Sequence, residues 1–148
     1  MSQQNLQVVR GLYDAFNRGD LDTFSRGLAA NLEWAEAENS LWASAQPQRS
    51  FAAIQSEVLG PITRDFDGFT CKVEQYLDAG DQIVTTGRYG GKCKETGNSL
   101  SAQFCHILHL DPDGKVDGFR EYCDTMAEAE ATGWARPIGT MQVPQSVM

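Results

Sequence analysis

Residues 98–124, NSLSAQFCHILHLDPDGKVDGFREYCD, contain the pattern that decides the fold of this chain. Between residues 100 and 110 every even position is apolar except one histidine, and the odd positions are mixed and more polar. This period-two alternation is typical of a strand with one buried face. The DPDG stretch at 111–114 predicts a turn, because proline presets its first corner and glycine accepts positive φ. We therefore expect two antiparallel strands, with the even face of the first one buried.

The same period continues on the N-terminal side of this segment. FTCKVEQYL (69–77) and QIVTTGRYGG (82–91), joined by an Ala-Gly-Asp turn, predict a β-hairpin. Together with the two strands of residues 98–124, this hairpin predicts four consecutive antiparallel strands. LEWAEAE (32–38) also alternates, and it predicts one further short strand.

Helical spacing replaces the alternation in the first third of the chain. Apolar residues recur every three or four positions over 5–18, which predicts an amphipathic helix. Asp20 is a good N-cap for a second short helix, and Ser50 for a third that is interrupted near Gly60-Pro61. MAEAEAT (126–132) predicts a short terminal helix.

Helices segregated to one side of an antiparallel sheet make an α+β fold. We expect a single domain over 1–148, with a core at about 5–130 and a tail at 131–148 that docks on a neighbour or is mobile. A sheet of this length must curve strongly to cover so small a core.

The net charge of −8 and the lack of a basic cluster argue against nucleic-acid binding. No apolar run approaches the roughly 20 residues that span a bilayer, and the first ten residues do not have the pattern of a secretory signal. We therefore expect a cytoplasmic protein that does not bind membranes, with its four cysteines reduced.

The metal site to consider in this sequence is a zinc site made by Cys105, His106, His109 and Cys123. Cys105 and His106 are adjacent, so their side chains point to opposite faces of a strand and cannot chelate one ion together. We predict neither a metal nor a cofactor.

His106 lies in the middle of the apolar face of its strand, and Glu121 shares a face with Phe119 and Cys123. Alone, His106 could be a core histidine that makes one hydrogen bond, and Glu121 could pair with an arginine. Together they indicate a polar site inside the core.

On the first strand, Trp34, Glu36 and Glu38 share one face. Either face could be inside, and a solvated acidic edge is the alternative. A buried carboxylate costs several kcal/mol unless it is paired or protonated. Inward Glu36 and Glu121 beside a histidine would have perturbed pKa values, which are typical of acid/base sites.

Several stretches resemble the SnoaL-like branch of the nuclear transport factor 2-like superfamily, which also includes ketosteroid isomerases, limonene epoxide hydrolases and polyketide cyclases. They are VVRGLYDAFNRGDLDTF (8–24), LEWAEAE (32–38), GRYGGKCKETGNSLSAQFCHILHL (87–110) and DPDGKVDGFREYCDT (111–125). The resemblance implies a cystatin-like cone, in which three N-terminal helices pack in a curved antiparallel or mixed sheet around one pocket.

The resemblance also implies roles for single residues. Glu36 falls where ketosteroid isomerases have their aspartate base, and His106 where they have the protonated aspartic acid of the oxyanion hole. Glu121 falls where limonene epoxide hydrolases have a catalytic aspartate. The isomerase tyrosine of helix 1 aligns with Leu12, and Tyr13 lies on a different helix face, so steroid isomerisation is not expected.

We weigh three functions for this pocket. The first is a cofactor-free enzyme on a small apolar molecule, with Glu36 as general base, His106 as donor to an oxyanion and Glu121 orienting His106 or a water. The second is a binding protein without catalysis, and the third is a purely structural role. The remaining predicted pocket residues are Leu12, Phe16, Trp34, Glu38, Trp42, Phe104, Leu108, Phe119 and Cys123. The mixed outer face of the sheet predicts a homodimer.

Overall fold

The computed structural model describes residues 2–134 as helices combined with one five-stranded sheet. The helices are α1 (Ser2–Asn17), α2 (Leu21–Arg26), α3 (Phe51–Ile54), α4 (Gly60–Asp65) and α5 (Thr125–Thr132), with a π-helical turn at Gln55–Leu59. The strands are β1 (Leu28–Ala35), β2 (Phe66–Asp78), β3 (Gln82–Cys93), β4 (Ser99–Leu110) and β5 (Val116–Cys123). The predicted α+β class is confirmed. Of the predicted tail at 131–148, the part beyond Trp134 lies outside the described residues.

The sheet is mixed, with the strand order β1-β5-β4-β3-β2. β2 to β5 pair antiparallel with their neighbours, as the alternation predicts, while β1 pairs parallel with β5. Register shifts in β2 near Asp67 and Val73 mark irregular points of the kind that bend a strand. Opposite the second of these, a Cβ on Gly87 would lie 2.0 Å from the Lys72 carbonyl oxygen. Glycine therefore allows β2 and β3 to approach closely where the sheet bends.

The buried face of β4 is the even face that the sequence predicts. Its buried residues are Leu100, Ala102, Phe104, His106, Leu108 and Leu110. The apolar side of α1 packs chiefly on β2, and its Tyr13 side chain reaches His106 of β4. Val9, Leu12 and Tyr13 are buried there. A single core thus lies between the helices and the concave side of the sheet.

Two predicted caps begin helices as expected. The Asp20 carboxylate accepts the Thr23 N–H at 3.1 Å, and the Ser50 hydroxyl accepts the Ala53 N–H at 3.1 Å. These bonds satisfy donors that the first turn of a helix leaves unpaired.

The interruption predicted near Gly60-Pro61 is a π-helical turn that begins one turn earlier. In this turn the Gly60 N–H donates to the Gln55 carbonyl, five residues back. A Cβ on residue 60 would lie 2.7 Å from that oxygen, so glycine permits the wider turn. Pro61 has no N–H to donate, which removes one bond of a regular helix at this point.

The first strand differs from its prediction, because it covers Leu28–Ala35 and not 32–38. Trp34 exchanges both backbone hydrogen bonds with Gln48, and the chain then leaves the sheet. The Ala37 N–H donates to the Glu121 side chain and not to a neighbouring strand. The alternation of faces therefore does not extend to Glu38, which is exposed.

Candidate functional site

A cavity of about 60 Å³ lies between the helices and the concave side of the sheet. Its apolar lining consists of Phe16, Phe24, Trp34, Trp42, Val58, Leu59, Ile62, Phe69 and Phe119. Its polar lining consists of Glu36, Cys71, Tyr89, His106, Glu121 and Glu128. The space suits a small group, since a water-sized group needs at least about 10–15 Å³.

His106 on β4 is buried, and both of its ring nitrogens are hydrogen-bonded. Nδ1 lies 2.6 Å from the Tyr13 hydroxyl of α1, and Nε2 lies 2.5 Å from the Tyr89 hydroxyl of β3. Burial lowers the pKa of His106 to about 3. The imidazole is therefore neutral near pH 7, with one nitrogen donating and the other accepting.

Counting protons fixes the direction of this network. The Tyr89 hydroxyl donates its single proton to Glu121 Oε2, so it must accept from His106 Nε2–H. Nδ1 of His106 is then an acceptor, and the Tyr13 hydroxyl donates to it. Tyr13 in turn accepts from the buried Thr85 hydroxyl at 2.6 Å. The result is a directed hydrogen-bond chain from Thr85 through Tyr13, His106 and Tyr89 to Glu121.

Glu121 on β5 is held in place by three donors. Its Oε2 accepts from Tyr89, and its Oε1 accepts the Ala37 N–H at 3.1 Å and the Cys123 thiol at 3.5 Å. An ionised carboxylate only accepts hydrogen bonds, so this set of donors matches the charged form. Glu121 does not contact His106 directly; Tyr89 connects them.

Glu36, just beyond the end of β1, has a different environment. Its Oε2 accepts one hydrogen bond, from the Trp34 indole N–H at 2.9 Å. Burial, and then the nearby charge of Glu121, raise the pKa of Glu36 well above its usual value. One cavity thus contains a carboxyl group that keeps its proton and a second that is built as a carboxylate.

Glu128 on α5 is the third carboxyl group of the cavity, and the sequence did not reveal it. Only 1% of the residue is exposed, and its Oε1 has no hydrogen-bond partner. Its Oε2 lies 3.6 Å from the Cys123 thiol. Burial, and then Glu121, raise the pKa of Glu128 to about 7.

A family model for the SnoaL-like domain matches residues 9–119. The chain belongs to the SnoaL-like domain family. Among curated proteins no significant match is found.

Solved structures agree with this assignment. An NTF2-like protein from Burkholderia thailandensis is 31% identical over 86% of this SnoaL-like chain and 95% of that one, with a TM-score of 0.81. A Jannaschia protein named for the SnoaL-like polyketide cyclases is 19% identical over 92% and 95%, with a TM-score of 0.77. A Xanthomonas campestris protein of unknown function with a cystatin-like fold is 21% identical over 89% and 98%, with a TM-score of 0.74. These likenesses confirm the cystatin-like fold.

Tyr13 corrects one expectation for this SnoaL-like domain. The sequence places it on a different helix face from the aligned Leu12, but both residues are buried, and the Tyr13 hydroxyl reaches His106. A wide apolar stripe on α1 includes adjacent positions, so neighbouring residues can both face the sheet. The site therefore has a helix-1 tyrosine, one position away from the alignment.

Tyr89 was also missed, although its signal exists in the sequence. Alternation along β3 from the buried Ile83 makes Thr85, Gly87 and Tyr89 face inward together. For Glu128 no comparable signal exists, because the segment around it alternates alanine with glutamate and has no apolar stripe.

The predicted pocket residues separate into two groups. Phe16, Trp34, Trp42 and Phe119 line the cavity together with Glu36, His106 and Glu121. Leu12, Phe104, Leu108 and Cys123 do not line it. The Phe104 ring instead stacks on His106, with centroids 4.2 Å apart. Glu38 is exposed outside the cavity because β1 ends before it.

Two further observations concern residues 2–134 alone. No group of three or more histidine, cysteine or acidic side chains is arranged there to hold a metal ion. No helix in that part of the chain is both long and apolar enough to cross a membrane.

His109, on the outer face of β4, contacts Asp117 at 2.5 Å and Asp81 at 3.2 Å, away from the cavity.

Proposed function

We propose that this SnoaL-like domain is an acid/base enzyme that moves a proton on a small, largely apolar molecule by means of its own side chains. The observation that carries the proposal is Glu36, whose carboxyl group lines an aromatic cavity, accepts one hydrogen bond and has a raised pKa. A carboxyl group with a raised pKa holds its proton to higher pH and can donate it to a substrate, and once ionised it is a stronger base than an ordinary carboxylate. Proton transfer beside a carbonyl, or water addition, are the reaction types that fit.

The directed chain supports this role by fixing charge around the proton-transfer group. His106 is neutral and both of its nitrogens are occupied, so it holds Tyr13 and Tyr89 in place and does not itself donate to a ligand. Burial raises the pKa of Glu36, and the negative end of the chain at Glu121 raises it further. We therefore assign the proton transfer to Glu36 and positioning to His106 and Glu121.

Glu36→Gln is expected to lower kcat/KM by about 10²–10⁴-fold, the usual contribution of general acid–base catalysis. The measurement is turnover of a panel of small enolisable ketones and epoxides. If the protonated form of Glu36 is the active one, wild-type kcat/KM should fall as the pH rises through the raised pKa of Glu36.

Glu33→Gln is the matched control, because it removes one carboxylate from the same segment. Glu33 is exposed on β1 and pairs with Arg49 at 2.9 Å, away from the cavity. It should leave turnover unchanged. Equal turnover by wild type and Glu36→Gln on every compound that reacts would contradict the proposal.

A binding protein without catalysis is the second candidate, and the hydrogen-bond chain favours it. The chain occupies both nitrogens of His106, the hydroxyl proton of Tyr89 and the Glu121 carboxylate, which leaves Glu36, Cys71 and Glu128 as the polar groups of the cavity that can meet a ligand. Saturable quenching of Trp34 and Trp42 fluorescence without turnover would support this candidate.

We also propose that two copies associate through the convex face of the sheet. Leu77 of β2 and Tyr122 of β5 are large, exposed side chains, with 45% and 53% of their surface accessible. Size-exclusion chromatography with light scattering should give about twice the mass of one chain, and Tyr122→Glu should shift it toward the monomer. A monomeric wild type at micromolar concentration would contradict this.

A further inference from the structure

The charges around the cavity are of one sign. Three carboxyl groups line it, from Glu36, Glu121 and Glu128, and none of its lining residues is a lysine or an arginine. A buried carboxyl group is stable when it is protonated or when it meets a positive charge. Burial favours the protonated form of Glu36, and three donors hold the Glu121 carboxylate, so Glu128 is the carboxyl group of the cavity whose charge an occupant would balance.

Glu128 gives an independent indication of what the occupant must offer. Its Oε1 is buried without a hydrogen-bond partner, on a side chain that is 99% inaccessible and lines the cavity. A buried acceptor without a partner lowers the stability of a protein, so it is rare in a resting structure. The Ser40 hydroxyl and the Leu41 N–H approach this carboxyl group without making a hydrogen bond of normal geometry to Oε1, so a ligand in the cavity is placed to complete its pairing.

We propose that the cavity binds the ammonium head of a small protonated amine, with Glu128 Oε1 accepting one of its N–H groups. This inference rests on the proposed function, because it names the substrate class of the same cavity. Glu36 remains the proton-transfer group, and Glu128 becomes the residue that selects the substrate.

The aromatic rings of the cavity suit a cation. Organic ammonium ions bind over the faces of tryptophan, tyrosine and phenylalanine, most strongly where water is excluded. Trp34, Trp42 and Phe119 line the cavity beside the carboxyl groups, and the Trp34 and Phe119 rings stack with centroids 3.7 Å apart. A volume of about 60 Å³ limits the enclosed head to a few non-hydrogen atoms.

A metal ion fits this lining less well than an ammonium ion. Within residues 2–134, no three potential ligands are arranged to hold one. A neutral alcohol could donate to Glu128, but it would leave the negative charge of an ionised Glu128 unbalanced. The amine satisfies both the free acceptor and the charge.

The binding should depend on pH through Glu128. The titratable groups that face the cavity with it are Glu36, Glu121, Cys71, Tyr89 and His106, and Cys123 contacts it directly. The pKa of Glu128 is raised to about 7, so below that pH an amine must displace a proton. Affinity should therefore rise by up to about tenfold per pH unit from pH 5 to 7 and level off above, while the amine itself stays charged to about pH 10.

Calorimetry and tryptophan fluorescence with n-propylammonium chloride test the inference, and 1-propanol is the neutral probe of the same shape. At pH 8 we expect n-propylammonium to bind at least about tenfold more tightly than 1-propanol. Glu128→Gln should weaken amine binding by about tenfold or more and change 1-propanol binding by less than about twofold. Glu130→Gln, on the same helix but outside the cavity lining, should behave as wild type.

Calorimetry at pH 6 in two buffers of different ionisation enthalpy should show release of about one proton per amine bound. The inference is overturned if 1-propanol binds as tightly as the amine, or if Glu128→Gln binds the amine with wild-type affinity. Its failure is separable from that of the proposed function. Glu36-dependent turnover without amine binding would contradict only the inference that the cavity binds an amine. Amine binding without turnover of any compound would contradict only the proposal that the protein is an enzyme.

Discussion

Replacing Tyr89 by phenylalanine is expected to lower the free energy of unfolding by about 3–5 kcal/mol. This is the largest loss of stability that we predict for the removal of a single oxygen atom. The Tyr89 hydroxyl is the only group that connects His106 Nε2 with Glu121 Oε2 in the described structure. Its removal leaves a buried N–H donor and one oxygen of a buried carboxylate without a partner. Urea denaturation at pH 7, followed by circular dichroism, measures the change.

Tyr76→Phe is the control for the loss of a tyrosine hydroxyl. Tyr76 lies on β2, outside the hydrogen-bond chain and outside the cavity lining, and its replacement should change the free energy of unfolding by less than about 0.5 kcal/mol. Combining Tyr89→Phe with Glu121→Gln should cost less than the sum of the two single changes, because both break the same contact. Additive costs, or a Tyr89→Phe protein as stable as wild type, would show that the chain is not formed.

Glu128→Gln is expected to act in the opposite direction and to raise the free energy of unfolding by about 2–3 kcal/mol at pH 8. The pKa of Glu128 is about 7 in the folded protein, against 4.5 for an ordinary glutamate. Between these values the unfolded chain has lost the proton and the folded chain keeps it, so wild-type stability falls as the pH rises from about 4.5 to 7. Above pH 7 the full cost is present, and a neutral glutamine avoids it.

The gain should disappear toward pH 4.5, where glutamate is protonated in both states. Urea denaturation at pH 4.5, 6 and 8 gives the three values needed, and Glu130→Gln is the matched control with no expected trend. Glutamine keeps one oxygen that can accept a hydrogen bond, and its amide group can donate to a neighbouring carboxylate. A Glu128→Gln protein that is less stable than wild type at pH 8 would contradict the burial of an acidic group.

Much of the fold could be predicted because it is encoded locally. The alternation over 100–110 identified the buried face of β4, with His106 in its middle, and the DPDG turn placed β5 against it. Asp20 and Ser50 marked two helix starts through a side chain that bonds a backbone N–H three residues on. In each case the residues that make the signal are close together in the chain.

The parts that were missed depend on contacts between distant segments. The alternation in LEWAEAE continues to Glu38, but the pairing of β1 with β5 ends at Ala35, and Glu38 lies exposed beyond it. Tyr89 has its own alternating signal, yet its role appears only when β3 places it between His106 and Glu121. Glu128 has no local signal, since its burial follows from where α5 packs.

The parallel pairing of β1 with β5 also affects the order in which parts of the chain fold. The Ala37 N–H and Glu121, which join the two sides of the site, are 84 positions apart in the chain. Contacts of such separation form late, because the loop between them must close before they contribute any free energy. During synthesis, the segment that carries Glu36 has no strand to pair with until β5 has left the ribosome. A nascent chain arrested before residue 116 should therefore expose β1 as an unpaired edge, and it would be the form of this protein most prone to aggregate.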